Sequence, residues 1–136
     1  MSNGSDVGPD LARAALLLVR DMMCIVEGEH VLITADINTE KRAVDALVNA
    51  SYSLGTRVAS MTLAPPLPFQ GGLANPYMPD PVTAAAQNCD AWIDLCMPYI
   101  AGAAVYDTTA PEGPGHLCLL VAGPEGGRGD FTRATL

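Results

Sequence analysis

The sequence is poor in aromatic and in basic side chains. Aromatic residues make up 5% of the chain, and seven lysines and arginines stand against fifteen aspartates and glutamates. The scarcity of aromatic side chains argues against an all-β sandwich, because strands of such folds are enriched in them. The net charge of −8 would repel a phosphate backbone, so we expect no nucleic-acid partner.

Long apolar runs and an export signal are also missing. No run reaches the roughly 18 apolar residues of a membrane-spanning helix, so no membrane association is expected. The N-terminus, MSNGSD, is polar and acidic, unlike a secretory signal. Without such a signal we expect a cytoplasmic protein whose cysteines are free, buried thiols, with disulfides as the alternative. The cysteines are Cys24, Cys89, Cys96 and Cys118.

What the chain does contain is an alternation of apolar patterns. Apolar residues make up 49% of it, and alanine, valine and leucine dominate. Helical spacing of apolar residues, short apolar runs and proline or glycine end signals predict helices over about 9–26, 39–54 and 81–88, a helix or turn over 99–106, and strands over 30–35, 57–63, 90–96 and 115–122. This order predicts an α/β fold, a doubly wound, mostly parallel four-stranded sheet with helices on both faces, which is Rossmann-like.

The predicted helices have definable apolar faces and end signals. Gly28 lies past the first helix, and Gly55 is expected to close the second as a C-cap. The first face comprises Leu11, Ala15, Leu18, Met22 and Ile25. The second comprises Val44, Leu47, Val48, Ser51 and Leu54.

Two segments depart from the alternating pattern. Residues 64–81 are rich in proline and glycine, so no regular element is predicted there, and the loop is either functional or a plain surface excursion. We expect Phe69, Tyr77 and Met78 to pack beneath this loop rather than cover a site. Residues 123–136 form a Gly/Arg-rich tail that is expected to be frayed, which gives one α/β domain over 1–122.

The first strand-to-helix junction invites a comparison with dinucleotide-binding sites. The turn over 35–39 contains no glycine, and Asp36 would repel a phosphate at the helix N-terminus, which excludes a standard Rossmann cofactor site. His30 and His116 lie at strand starts without any metal-binding spacing, and each is expected to be structural or solvated. No residue is predicted to be catalytic or to bind a metal.

Four polar residues lie where ligands gather in open α/β sheets, outside the carboxyl ends of the strands. They are Asp36, Asn38, Thr39 and Asp94. In one interpretation, they form a polar rim at the carboxyl ends of the strands that binds a small molecule or contacts a partner domain. The other, which we favour, is structural: Asp36 caps the helix with Asn38 and Thr39, while Asp94 accepts backbone amide hydrogen bonds.

Three stretches together carry a family resemblance: VEGEHVLITAD over 26–36, ALVNASYSLGTRV over 46–58, and CDAWIDL over 89–95. They resemble the N-terminal domain of the aminopeptidase T (M29-type) metallopeptidases. They are closer still to the 2,5-dihydroxypyridine 5,6-dioxygenase-like enzymes of pyridine-ring catabolism. The resemblance spans roughly residues 10–122.

The resemblance implies an N-terminal supporting and assembly domain that is inactive alone. In such enzymes a divalent metal (iron, zinc or cobalt) is held by histidine and carboxylate side chains of a C-terminal catalytic half that has no counterpart here. The implied partners are a second copy of the chain, as a homodimer or larger oligomer, or that catalytic domain or subunit. The alternative is a stand-alone small α/β domain that binds a small molecule or a protein at the strand carboxyl ends.

Overall fold

The computed structural model describes residues 8–64, 67–68, 71–96 and 115–118. Their elements alternate in the order expected from the sequence. Helix α1 spans Pro9–Leu16 and continues as a π-helix over Leu17–Met22, followed by strand β1 (His30–Asp36), helix α2 (Lys41–Ser53), strand β2 (Arg57–Leu63), a 3-10 helix (Gly71–Tyr77), helix α3 (Asp80–Ala86), strand β3 (Ala91–Asp94) and strand β4 (Gly115–Cys118).

The four strands form one sheet in the order β2-β1-β3-β4. All its pairings are parallel, with Val31 opposite both Val58 and Ala91. Strand β1 is therefore central, as expected from its continuous apolar run. The predicted bounds of β2 agree with the structure.

Helices cover both faces of the sheet, because alternate strand residues point to opposite sides. Val31, Ile33 and Ala35 of β1 pack in one cluster with α1 and α2. Leu32 of β1 packs in a second cluster with α3 and the 3-10 helix. Ile33 is fully buried and contributes about 1.5–3 kcal/mol by burial. The fold is thus the doubly wound α/β architecture that the sequence predicted.

The first helix ends earlier than predicted. The π-helical turn carries extra residues, which rotates the apolar face, so that Val19 is buried and Met22 is exposed, contrary to expectation. Cys24 follows with φ 55° and terminates the helix before Val26. The Cys24 side chain is exposed, so the expectation that it is buried was wrong.

Helix α2 begins two residues later than predicted, because a turn occupies the preceding residues. Its buried face consists of smaller side chains than expected: Ala43, Ala46, Leu47, Ala50 and Ser51. Val44, Val48 and Leu54 are partly buried beside them. Gly55 has φ 82° after the last turn, in agreement with the predicted C-cap.

The proline-rich segment contains regular structure, so the prediction of none was wrong. The 3-10 helix Gly71–Tyr77 accommodates Pro76, since a short helix needs few backbone donors. Ala74 anchors it in the second cluster, together with Leu67 and the partly buried Met78. Tyr77 is 55% exposed and does not pack beneath the loop. Phe69 lies outside the described residues.

Several predictions fall on residues that the structure does not describe. They concern the segment 99–106, the strand residues 119–122, the tail 123–136 and the side chains of His116 and Cys118. The domain boundary at residue 122 likewise stays a prediction. Within the described ranges, no helix combines the length and apolarity needed to cross a membrane.

Candidate functional site

The strand order creates a switch point between β1 and β3. The chain leaves β1 toward β2 on one side and returns to β3 on the other. In sheets of this order, the crevice beyond the carboxyl ends of these two strands is the usual ligand site. Strand β1 ends at Asp36 and β3 ends at Asp94, so the predicted site residues lie at this crevice.

Asp36 organises the turn that follows β1. Its Oδ1 accepts a 2.8 Å hydrogen bond from the backbone N–H of Asn38, and its carbonyl accepts one of 2.9 Å from the backbone N–H of Thr39. The Thr39 hydroxyl accepts from the backbone N–H of Asp36 at 3.0 Å. Glu40, not Asp36, is the N-cap residue of α2, and its side chain makes no capping bond. The expectation that Asp36 caps the helix was therefore wrong: Asp36, Asn38 and Thr39 close a turn before the helix.

Thr39 also connects the two strands across the switch point. Its hydroxyl lies 3.2 Å from the carbonyl oxygen of Leu95, to which it can donate. The structure thereby brings the turn after β1 against the chain just beyond β3. Asp36 and Thr39 are buried or partly buried, whereas Asn38 and Ile37 are exposed at the mouth of the crevice.

Asp94 belongs to a buried hydrogen-bond network. Its Oδ1 accepts from the Thr34 hydroxyl at 2.9 Å and from the backbone N–H of Cys96 at 3.1 Å. The indole Nε1–H of Trp92 donates to the Thr34 hydroxyl at 3.0 Å. Thr34, Trp92 and Asp94 are each at most 3% exposed. The expected backbone-amide contact of Asp94 is present, and it is part of a network that satisfies buried polar groups.

Cys96 lies among these acidic groups and is an inert thiol. Burial raises the pKa of its Sγ well above the ordinary value, and the nearby carboxylates of Asp94 and Asp36 raise it further. The thiol is therefore protonated at neutral pH and cannot act as a nucleophile. Burial, with a smaller effect of Asp90, raises the pKa of Cys89 to about 11. Cys24, Cys89 and Cys96 are all free, as predicted.

The described residues contain no cluster that could hold a divalent metal, which the family resemblance assigns to a catalytic half outside this sequence. In these ranges no three histidine, cysteine, aspartate or glutamate side chains lie together so that they could hold a metal ion. Oxygens of Asp36 and Asp94 accept hydrogen bonds from the chain's own donors. His30 is exposed at the start of β1, the opposite end of the strand.

Sequence reasoning missed Thr34 and Trp92. Both lie on the same face of the sheet as Asp94, since Thr34 is in register with Asp94 and Trp92 precedes it by two residues. The alternation of side chains along each strand was a signal for this shared face. The pairing of β1 with β3 was still needed to bring the hydroxyl to the carboxylate.

Comparisons with known proteins show a distant likeness in structure. No family model and no curated protein matches the chain. Among solved structures, 2,5-dihydroxypyridine dioxygenase from Pseudomonas putida KT2440 is similar with a TM-score of 0.49 and 13% identity, over 68% of this chain and 28% of that chain. The chain thus matches less than a third of that enzyme's length.

Proposed function

We propose that this chain is a supporting and assembly domain of a dihydroxypyridine-dioxygenase-like or M29-aminopeptidase-like metalloenzyme. The metal, whether iron, zinc or cobalt, would be held by a catalytic domain or subunit that this sequence does not include. In this proposal the domain has no activity alone. Its role is to hold the catalytic part in position.

The observation that carries this proposal is the set of hydrogen bonds that join the carboxyl ends of β1 and β3. The Thr39 hydroxyl at the Leu95 carbonyl and the Thr34 hydroxyl at Asp94 link these strands with the chain's own groups. Breaking a buried hydrogen bond to admit a ligand costs about 1–3 kcal/mol. A crevice with such internal contacts is better suited to a scaffold than to catalysis.

The three sequence motifs support the family assignment independently of the crevice. The first contains β1 with Asp36, the second contains most of α2 and the start of β2, and the third contains β3. They therefore coincide with the central strand, its crossover helix and the strand on its other side. These elements hold the sheet together, which is what a supporting domain requires.

The test is to sequence the DNA downstream of this reading frame and to co-express the encoded segment with this chain. We expect a segment rich in histidine and carboxylate residues that copurifies with the chain and binds a divalent metal in the complex. Metal content of the complex and of the chain alone would be measured by mass spectrometry. Stoichiometric metal on the chain alone, or no such downstream segment, would contradict the proposal.

A second function is favoured by the exposure of Asn38 at the switch point. Its side chain and that of Ile37 form an accessible polar and apolar pair beside the crevice. This pair suits a small molecule that combines an apolar body with a hydrogen-bonding group. In this alternative, the chain is a binding domain in its own right.

A fragment screen monitored by NMR would test the alternative. Ligand-induced shifts should concentrate on Asn38 and Thr39, disappear in Asn38→Ala, and persist in Gln87→Ala, a matched change of an exposed amide at the end of α3. Ligand-induced shifts that persist in Asn38→Ala, or a screen without any binder, would contradict the alternative. Either result would leave the proposed supporting role unaffected.

A further inference from the structure

Strand β2 forms one edge of the sheet and lacks the usual features that shield such an edge. It pairs with β1 without interruption from Arg57 to Leu63, and it contains no proline, lysine or bulge. Those features are common means by which proteins keep an edge strand from pairing with another chain. β2 therefore has the length and the regularity to accept a further strand.

The pairing of β2 with β1 shows which of its backbone groups are already used. The backbone N–H of Arg57 donates to the carbonyl of Glu29 at 2.8 Å, and the carbonyl of Leu63 accepts from the N–H of Ile37 at 3.2 Å. A strand bonds to a parallel neighbour through every second residue. Every second residue of β2, counted from Arg57, therefore directs its N–H and C=O toward β1.

The residues between them, Val58, Ser60 and Thr62, direct their N–H and C=O groups to the open side of the sheet. Ser60 and Thr62 are exposed and Val58 is half-buried. Within 8–64, 67–68, 71–96 and 115–118, no backbone group bonds to these donors and acceptors. Donors and acceptors that repeat at every second residue match the backbone of another extended strand.

The charge at the start of this edge is also unmatched. Arg57 is exposed and belongs to no ion pair among the residues that the structure describes. The other basic side chains in these ranges each lie in an ion pair with a nearby carboxylate. They are Arg13, Arg20, Lys41 and Arg42. Arg57 is therefore the cation in this part of the chain that is available to a carboxylate from outside.

Partly covered valines lie on the same side of the sheet as Val58. Val44 and Val48 are one helical turn apart on α2, and they pack with Val58 against the first cluster while remaining partly exposed. They belong to a different flank of α2 from the one beside α1, which contains Ala46 and Ala50. The valines leave apolar surface that side chains of a strand beside β2 would cover.

We infer that β2 is the docking edge for an extended segment of another polypeptide, which adds a further strand to the sheet. The segment carries an acidic side chain opposite Arg57 and β-branched side chains against the partly covered valines. Main-chain hydrogen bonds to Val58, Ser60 and Thr62 supply the affinity. The ion pair with Arg57 sets the register and selects the partner.

The charge pattern favours a different polypeptide over a second copy of this chain. β2 contains no acidic residue, so two paired β2 strands would leave each Arg57 without a carboxylate. They would also bring together two chains of net charge −8. The inference does not rest on the proposed supporting role, because it concerns the edge of the sheet and not a metal-binding half. Its failure would leave the metal and copurification test unaffected.

NMR with a synthetic peptide tests the inference. The probe is a peptide capped at both ends, Glu-Val-Thr-Val-Thr-Val-Glu, which is as long as β2 and offers a carboxylate to Arg57 in either strand direction. In the free chain, the amides of Ser60 and Thr62 should exchange with solvent about tenfold or more faster than those of Ala59 and Met61. Saturating peptide should remove that difference, because it gives the outward amides acceptors.

A charge swap tests the predicted selectivity. Arg57→Glu should weaken binding of this peptide about fivefold and strengthen binding of Lys-Val-Thr-Val-Thr-Val-Lys by a similar factor. Arg13→Glu is the matched control, since it changes the net charge equally at an exposed arginine of α1. It should leave both affinities unchanged. Ser60→Pro removes an outward N–H and should abolish binding of both peptides. Circular dichroism would verify that the variants are folded, and the charge swap decides alone if Ser60→Pro is not.

Three results would overturn the inference. The first is an absence of binding by the glutamate peptide. The second is slow exchange of the Ser60 and Thr62 amides in the free chain, which would mean that the chain covers this edge itself or that a second copy does. The third is a preference for the glutamate peptide that persists in Arg57→Glu.

Discussion

The hydroxyl of Thr34 donates a 2.9 Å hydrogen bond to Oδ1 of Asp94, although the two residues are sixty positions apart. They lie in register on β1 and β3, the two strands that flank the switch point. The bond therefore ties the centre of the sheet together at the place where α/β proteins commonly bind ligands. It also gives the buried carboxylate of Asp94 a hydrogen-bond donor.

Replacing Thr34 should destabilise the fold through this bond. Thr34→Val keeps the shape but deprives both Asp94 and Trp92 of a buried hydrogen-bond partner, which should cost about 2 kcal/mol or more. Thr34→Ser keeps the hydroxyl and loses a methyl group, at about 1 kcal/mol. Urea unfolding, followed by the fluorescence of Trp92, the single tryptophan, measures the unfolding free energy of both variants. Equal costs for the two variants would show that the hydroxyl is unimportant.

The buried side chain of Ser51 should be dispensable. Its Oγ has no hydrogen-bond partner in the part of the chain that the structure describes. Ser51→Ala removes an unsatisfied buried hydroxyl and improves helix propensity, so we expect a gain of up to about 1 kcal/mol in unfolding free energy.

A neighbouring threonine provides the control for Ser51. Thr56 donates a 2.7 Å hydrogen bond from its hydroxyl to the carbonyl of Ser51 and is buried. Thr56→Val should therefore lower the unfolding free energy by about 1 kcal/mol. If Ser51→Ala proves as damaging as Thr56→Val under the same urea titration, the Ser51 hydroxyl has a structural role.

Gly55 should not tolerate a side chain. Its φ of 82° is strained for other residues, and a Cβ there would lie 2.9 Å from Cγ of Glu27. Gly28 has a similar φ of 89°, but a Cβ there would meet open space. Gly28→Ala should thus cost about 1 kcal/mol from backbone strain, and Gly55→Ala should cost more. Thermal unfolding of both variants would measure the two losses of stability. A smaller loss in Gly55→Ala than in Gly28→Ala would contradict the steric argument.

The three described cysteines should differ in their reaction with iodoacetamide. Exposed Cys24 should react first, and buried Cys96 should stay unmodified until the protein unfolds. A raised pKa means less thiolate at a given pH, so Cys89, with a pKa of about 11, should react slowly at pH 7. Its rate should rise about tenfold per pH unit up to that value, because the thiolate fraction does. Mass spectrometry of native and urea-treated protein would identify the modified sites, and fast labelling of native Cys96 would refute the assignment.

The secondary structure was largely readable from local patterns. Short apolar runs, the helical spacing of apolar residues and the glycine and proline end signals placed β1, β2, α2 and α3 to within a few residues, because each of these signals lies within a single element. The π-helix after α1 and the 3-10 helix before α3 could not be predicted from local sequence patterns. Both depend on packing against distant residues, such as Ala74 against the cluster that contains Trp92.

The candidate site was only partly readable. The turn of Asp36, Asn38 and Thr39 is encoded within four residues, so its composition was predictable. The link from Thr39 to the Leu95 carbonyl and that from Thr34 to Asp94 were not, because they require β1 and β3 to be neighbours.

The sequence by itself determined the alternation of helices and strands, the absence of a dinucleotide fingerprint and the excess of negative charge. These follow from composition and from spacing within a single element. Only the tertiary structure decided the strand order, the hydrogen bond from Thr34 to Asp94 and the contact of Thr39 with the Leu95 carbonyl. Each of these depends on contacts between elements far apart in the chain, and such contacts form only when the apolar faces pack together.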